Sequence, residues 1–262
     1  MAFHPDWMVP DWPAPPGVRA VFTTRAGGDS EPPYASLNLG RFVGDDAALV
    51  QRNRQALNSA MGASANYLRQ VHGVQVLELK PLAAVDDVPA DGSFSLHRGQ
   101  VCAVMVADCL PILLCDNSGT WVAALHAGWR GLAGVQGDGI IEAFFKQLVA
   151  ESLINSAQAA TDLIAWLGPC IGPKAFEVGP EVRAAFLEHS PQAEDAFVAL
   201  LSGKWLAHLP LLARQRLQSQ GITGVYGNDG SEAWCTVGNP LRFFSFRRDR
   251  ICGRHAACIW LE

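Results

Sequence analysis

Val101-Cys102-Ala103-Val104-Met105-Val106-Ala107-Asp108-Cys109 and Trp121-Val122-Ala123-Ala124-Leu125-His126-Ala127-Gly128-Trp129-Arg130-Gly131 decide how this chain folds. Each begins as a short apolar run and reads as a buried strand. The first run ends in Asp108-Cys109 and the second in His126. Two neighbouring strands ending this way would bring a thiol and an imidazole to one edge of a sheet. A second imidazole comes from Gln70-Val71-His72-Gly73.

Strand and helix signals alternate on both sides of these runs. Ala20 to Thr24 is β-rich, residues 47–61 form a polar and apolar helical pattern, and Val74 to Leu79 alternates as a half-buried strand. Ile140 to Val149 is an amphipathic helix, and Leu163 to Leu167 is a strand entering Gly168-Pro169-Cys170-Ile171-Gly172-Pro173. Pro180 to Glu188 and Leu209 to Gln220 read as helices, with Pro180 fitting a first turn. Strands are expected again at Phe243 to Arg247 and Ala256 to Leu261. No linker, repeat or low-complexity stretch divides the chain. The expectation is α/β: one catalytic domain over 1–262, with a mixed sheet and with 1–17 as an N-terminal extension.

His72, Cys109 and His126 supply three metal-capable side chains, the number a catalytic zinc takes when its fourth position is open; a structural zinc would want a fourth ligand. They lie far apart in sequence, so the fold must assemble them, unlike the ligands of a Cys-x-x-Cys knuckle. A lone Cys at the end of an apolar strand is more often a small core residue. The argument rests on the three together, with Gly73, Gly128 and Gly131 keeping bulk away. Asp108, beside the thiol, would orient His72 or His126 as a supporting carboxylate.

Bulk properties narrow the class. The 262 residues are 49% apolar and 17% charged, which is globular and long enough for a substantial core. A net charge of −5 without a basic block argues against nucleic acid or an anionic membrane as the partner and favours a small molecule. The N-terminus has neither a basic region nor an apolar core of a signal peptide, and no apolar stretch reaches about 18 residues. Seven cysteines, odd in number and irregular in spacing, read as reduced thiols in a cytoplasmic setting.

Seven segments in order carry a resemblance: Thr23-Thr24-Arg25-Ala26-Gly27-Gly28, Ser36-Leu37-Asn38-Leu39-Gly40, Gln70 to Gly73, Ala107-Asp108-Cys109-Leu110-Pro111, His126 to Gly131, Gly168 to Pro173, and Phe244-Ser245-Phe246-Arg247-Arg248-Asp249. From about residue 18 to the C-terminus the chain resembles the bacterial laccase-domain, or multicopper polyphenol oxidase-like, family, whose members are now described as zinc-dependent purine nucleoside phosphorylases with adenosine deaminase activity. The resemblance implies an α/β sandwich related to cysteine-hydrolase-like proteins, with zinc held by His72, Cys109 and His126. It also implies phosphorolysis of adenosine, inosine and methylthioadenosine, with purine nucleoside and phosphate as the small-molecule partners.

Classical multicopper chemistry would need about ten histidines and a His-Cys-His segment; this chain has seven histidines and no such segment. A blue-copper site wants a weak axial Met. Met105, four residues before Cys109, would lie roughly 13 Å along a strand at about 3.3 Å per residue. The His2Cys ligand types nevertheless also suit copper, which leaves a copper-dependent polyphenol oxidase as an alternative, its oxidase activity secondary.

Phosphorolysis also asks for cations around the phosphate. Arg25, before Ala26-Gly27-Gly28, and Arg130, four residues past His126, are candidates. Arg247 and Arg248, on a strand, would point to opposite faces, so that one enters the pocket. Asn38 joins the expected substrate contacts, and Glu177 is a candidate acid or base. Two rival readings stand beside this one: a metal-free cysteine hydrolase with Cys109 as nucleophile and His126 as base, and a metal-binding or redox-sensing module without turnover.

Overall fold

A computed structural model describes residues 2–82, 85–154 and 162–262. The chain begins with β1 (Val18–Phe22), α1 (Ala47–Met61), β2 (Ala65–Tyr67), β3 (Val76–Glu78) and β4 (Gly92–Ser95). Next come β5 (Val101–Val106), β6 (Leu110–Asp116), β7 (Val122–Ala127), α2 (Trp129–Ala133) and α3 (Ile140–Ala150). Then follow β8 (Leu163–Leu167), β9 (Glu177–Val178), α4 (Pro180–Leu187), β10 (Phe197–Ala199) and β11 (Trp205–Ala207). The chain closes with α5 (Leu209–Ser219), β12 (Gly224–Gly227), α6 (Phe246–Asp249) and β13 (His255–Leu261).

The strands form a six-stranded mixed sheet, β12-β8-β6-β7-β4-β3, a four-stranded mixed sheet, β1-β13-β5-β2, and a small antiparallel sheet, β10-β11-β9. The two larger sheets stack. Along β6, Leu113 and Cys115 pack into the apolar layer between them with Phe22, Val104, Trp166 and Ile259, while Ile112 and Leu114 face the opposite layer. That layer holds Phe144, Leu148, Leu212 and Leu217 from α3 and α5. On the far side, α1 covers the four-stranded sheet with Leu57 and Met61 against Val21, Val101 and Cys258. The order of layers is therefore helix, sheet, sheet, helix. Strands buried on both faces cannot alternate between apolar and polar, which is why β5 and β7 read as unbroken apolar runs.

Local chemistry sets the ends of the helices. Asp46 caps α1 by accepting from the N–H groups of Ala48 and Leu49, and Gly62 ends it at φ 68°. Glu142 reaches back to the N–H of Gly139 at 3.0 Å to open α3.

Two expectations from the sequence are corrected. Phe243 to Arg247 is no strand: Ser245 accepts from the N–H of Arg248 at 3.2 Å and starts α6, so Arg247 and Arg248 follow helical geometry and do not alternate across a strand. The strand leading to Cys109 is also not the neighbour of β7. β5 belongs to the four-stranded sheet, the chain crosses between sheets through Ala107-Asp108-Cys109, and β6 then pairs antiparallel with β7, Leu110 opposite Ala127. Cys109 and His126 still meet at one edge, because one strand starts where its antiparallel neighbour ends.

Candidate metal centre and active site

Three segments bring His72, Cys109 and His126 together, with one ligand-capable atom from each lying within 4.8 Å of the others. His126 sits near the end of β7, buried. Cys109 immediately precedes β6, partly exposed, with its Sγ 3.8 Å from Nε2 of the exposed His72. The His72 and His126 rings meet edge to face at 4.9 Å.

The loop carrying His72 is held at both ends. Gln70 behaves like an extra strand residue: its Nε2 donates to the Met105 carbonyl at 2.8 Å, and its Oε1 accepts from the Met105 N–H at 2.7 Å. Beyond it, fully buried Asp91 gathers the turn. Its Oδ1 accepts from the His72 N–H at 2.8 Å, and its Oδ2 from the N–H groups of Val71 at 3.1 Å and Gly73 at 2.7 Å. Oδ1 also lies 2.8 Å from Nδ1 of His126, which turns Nε2 toward the cavity. One carboxylate thus orients the His126 ring and holds the backbone turn that carries His72. Gly128 has ordinary helical-entry geometry, but a Cβ there would stand 2.9 Å from the Cys109 Sγ and 3.1 Å from Cδ2 of His72.

The electrostatics follow from this packing. Burial alone would push the Cys109 thiol up, but His126 and His72 beside it bring it down to about 6. Burial would lower His126, yet the Cys109 thiolate and Asp91 raise it to about 9. Burial would raise Asp91, and its bonds to His126 and to the Gly73 and Val71 N–H groups hold it below the usual carboxylate range. The other cysteines are buried, with Cys102 and Cys115 pushed up to about 12.

The donor set fits zinc. A thiolate at neutral pH and two imidazoles are zinc ligands, and a tetrahedral ion places such atoms roughly 3.4–3.6 Å apart, so the widest pair would close by about an ångström. Metal binding would displace the His126 proton. The Met105 thioether is engaged by Nη2 of Arg54 at 3.8 Å, away from an axial role.

These residues line a cavity of about 500 Å³, within the usual size range for small-molecule sites. Trp129, Phe176 and Phe246 give it aromatic walls, and Arg41, Arg69, Arg247, Arg250 and Arg254 give it positive charge. The expected contacts distribute unevenly around it. Arg247 lines the cavity, its Nη1 donating to the Glu177 carbonyl at 3.0 Å. Arg25 lies outside the lining, tied to the carbonyls of Ala35 and Pro240. Arg130 also lies outside, stacked over Trp129 at 4.4 Å. Glu177 is exposed on β9 and paired with Lys204 at 2.6 Å. Asn38 is buried behind the lining, where Oδ1 accepts from the Gly40 and Arg254 N–H groups, each at 2.9 Å. Asp108 does line the cavity but orients neither imidazole. Its oxygens accept from the Thr236 hydroxyl and the Arg247 N–H, each at 2.6 Å, because φ 90° at Asp108 turns the crossover toward the C-terminal segment.

Sequence reasoning missed Asp91, whose imidazole partner is 35 residues away with no motif linking them. It also missed Arg41, Arg69, Arg250 and Arg254. Only Arg69, next to Gln70-Val71-His72-Gly73, carried a local hint.

Known proteins share this arrangement of chain and fold. The family described as multi-copper polyphenol oxidoreductase laccase matches residues 19–262. A purine nucleoside phosphorylase of Pseudomonas aeruginosa is 45% identical over 257 residues, covering 98% of each chain. Purine nucleoside phosphorylase YfiH of Escherichia coli is 46% identical over 258 residues, covering 97% of this chain and 98% of that one. The crystal structure of a Neisseria meningitidis protein superposes with a TM-score of 0.86 at 43% identity, over 98% of this chain and 99% of that one.

Proposed function

The chain belongs to the multi-copper polyphenol oxidoreductase laccase family, and from that premise we propose that it is a zinc-dependent purine nucleoside phosphorylase acting on adenosine, inosine and S-methyl-5′-thioadenosine, with adenosine deaminase activity at the same site. The observation that carries this reading is the His72, Cys109 and His126 group opening into an arginine-rich, aromatic-walled cavity, in a chain whose relatives of matching length are named purine nucleoside phosphorylases.

In phosphorolysis a phosphate oxygen bonds to C1′ of the ribose as the C1′–N9 bond breaks, and the base leaves with the bonding electrons. The transition state carries positive charge on the sugar and needs the phosphate held in line. Cavity arginines would supply that hold. Trp129, Phe176 and Phe246 offer apolar faces to a purine and exclude water from the breaking bond. Zinc at His72, Cys109 and His126 would supply Lewis acidity and, for deamination, water that ionises near neutral pH. Asp91 orients the His126 ring and holds the backbone of the His72 turn, so the segments that carry the ligands are in place before zinc arrives. The same ligand types accept copper.

One observation favours a second reading. Cys109, His126 and Asp91 also stand as nucleophile, base and orienting carboxylate, with a thiol already near pKa 6. In that cysteine hydrolase His72 would be dispensable.

Both readings meet in one experiment: base release from inosine, adenosine and methylthioadenosine, with and without phosphate, after metal analysis of the purified protein. About one zinc per chain and phosphate-dependent release, abolished by both Cys109→Ser and His72→Ala, is the expected result. Full activity of metal-free His72→Ala would move the assignment to the hydrolase.

A further inference from the structure

The arginines of this protein fall into two groups by what their guanidinium donors already hold. Arg25 spends Nε and Nη1 on the Ala35 and Pro240 carbonyls. Arg216 spends both terminal amines on the Gly137 and Ala133 carbonyls. Arg248 is bonded to the Thr236, Val237 and Phe243 carbonyls as well as to Asp249. Such side chains are structural clamps, and withdrawing one to meet a ligand would leave carbonyls unpaired.

Arg41 and Arg69 differ. They reach the cavity from two loops, residues 40–43 and 68–70, and converge on Asp87. Both hold it weakly: Arg41 through an ion pair at 3.8 Å, and Arg69 through Nε to the Asp87 carbonyl at 3.4 Å. Among the described residues neither terminal amine of Arg69 makes a hydrogen bond. Arg254 stands beside them, its Cγ packed 2.8 Å from where a Gly40 Cβ would be, with Nη1 anchored on the Cys252 carbonyl at 2.9 Å. Two guanidinium forks with spare donors, facing one cavity and each loosely held on a different group of Asp87, the carboxylate for Arg41 and the backbone carbonyl for Arg69, make an anion site suited to planar bidentate contacts. Elsewhere in the lining, Asp108, both of whose oxygens are already bonded, disfavours an anion beside it.

We propose that Arg41 and Arg69, supported by Arg254, form the subsite for a phosphate dianion, in place of Arg25 or Arg130. The assignment rests on the phosphorylase reading only for the source of that phosphate, which is either the free co-substrate or the 5′-phosphate of a nucleotide.

The test pairs steady-state kinetics with calorimetric titration of inorganic phosphate into the protein as purified. Arg41→Ala and Arg69→Ala should each raise the KM for phosphate by about tenfold or more, as loss of a charged hydrogen bond does, while the KM for inosine moves less than about twofold. Arg→Lys at either position should recover part of the loss, since it keeps charge without the fork. Both side chains end at the surface, so the variants should fold. An unchanged phosphate KM in both variants overturns the subsite and leaves the phosphorylase reading standing. If no phosphorolysis is found, phosphate binding that disappears in the double variant sustains the subsite while the functional reading falls. Absence of binding of both inorganic phosphate and a nucleoside 5′-monophosphate in the parent protein overturns it. A nucleoside 5′-monophosphate that competes with inosine alone, and weakens in both variants, supports the subsite with substrate-borne phosphate as its ligand.

Discussion

Cys109 and His126 each move the other's proton equilibrium: the imidazolium favours the thiolate, and the thiolate favours the imidazolium. In the folded protein the thiol is near 6 and the imidazole near 9, against ordinary values of 9.0 and 6.5. The stabilisation from Cys109 is complete above its ordinary value and is lost as pH falls through about 6. The stabilisation from His126 is complete below 6.5 and is lost as pH rises through about 9. Between 6.5 and 9 the folded chain carries on His126 the proton that the unfolded chain carries on Cys109. The proton counts match, so this pair gives stability almost no slope with pH in that window. Reactivity should show it instead. Iodoacetamide modification of Cys109 in metal-free protein, followed by peptide mass, should rise with a midpoint near pH 6. In Asp91→Asn the imidazolium loses the carboxylate 2.8 Å away, and the midpoint should move up toward that of an ordinary thiol. An unmoved midpoint would remove Asp91 from the arrangement.

At the scale of elements, the site exists because a crossover between sheets, a strand end and a helix start share one small volume. β6 begins just after Cys109, His126 is the penultimate residue of β7, and α2 starts immediately after Gly128. At this last junction steric room matters more than backbone freedom: Gly128 has φ −65°, which alanine adopts easily. Gly128→Ala would press its methyl against Cys109 and His72. Calorimetric zinc binding should weaken at least about tenfold, while stability falls by only about 1–3 kcal/mol, the usual range for overpacking. Zinc affinity within twofold of the parent would show that the crossover shifts freely to make space.

For the whole molecule, the metal-capable residues join the 68–73 loop, the crossover from the four-stranded sheet and the end of β7 in the six-stranded one. A ligand that binds only the folded state adds about 2.7 kcal/mol at a hundred times its Kd, and a chain of this size gains roughly 2–4 °C in Tm per kcal/mol. Chelation should therefore lower Tm by roughly 5 °C or more, zinc should restore it, and Cys109→Ser should respond to neither. The three metal-capable residues were legible in the sequence because Cys and His at the ends of apolar runs, flanked by glycine, are local patterns. Among the strands of the stacked sheets, β5, β7, β8 and β13 were legible for the same reason, since burial on both faces leaves continuous apolar runs, whereas β2, β4, β6 and β12 were not read from the sequence. Asp91, the free forks of Arg41 and Arg69, and the capped helix over Phe246–Asp249 were not. The sequence by itself determined which groups could hold a metal and the class of fold that carries them. Only the tertiary structure decided which carboxylate orients His126 and holds the His72 turn, and which arginines are free to meet an anion, because both depend on contacts between segments distant in sequence, where pairing leaves no local pattern.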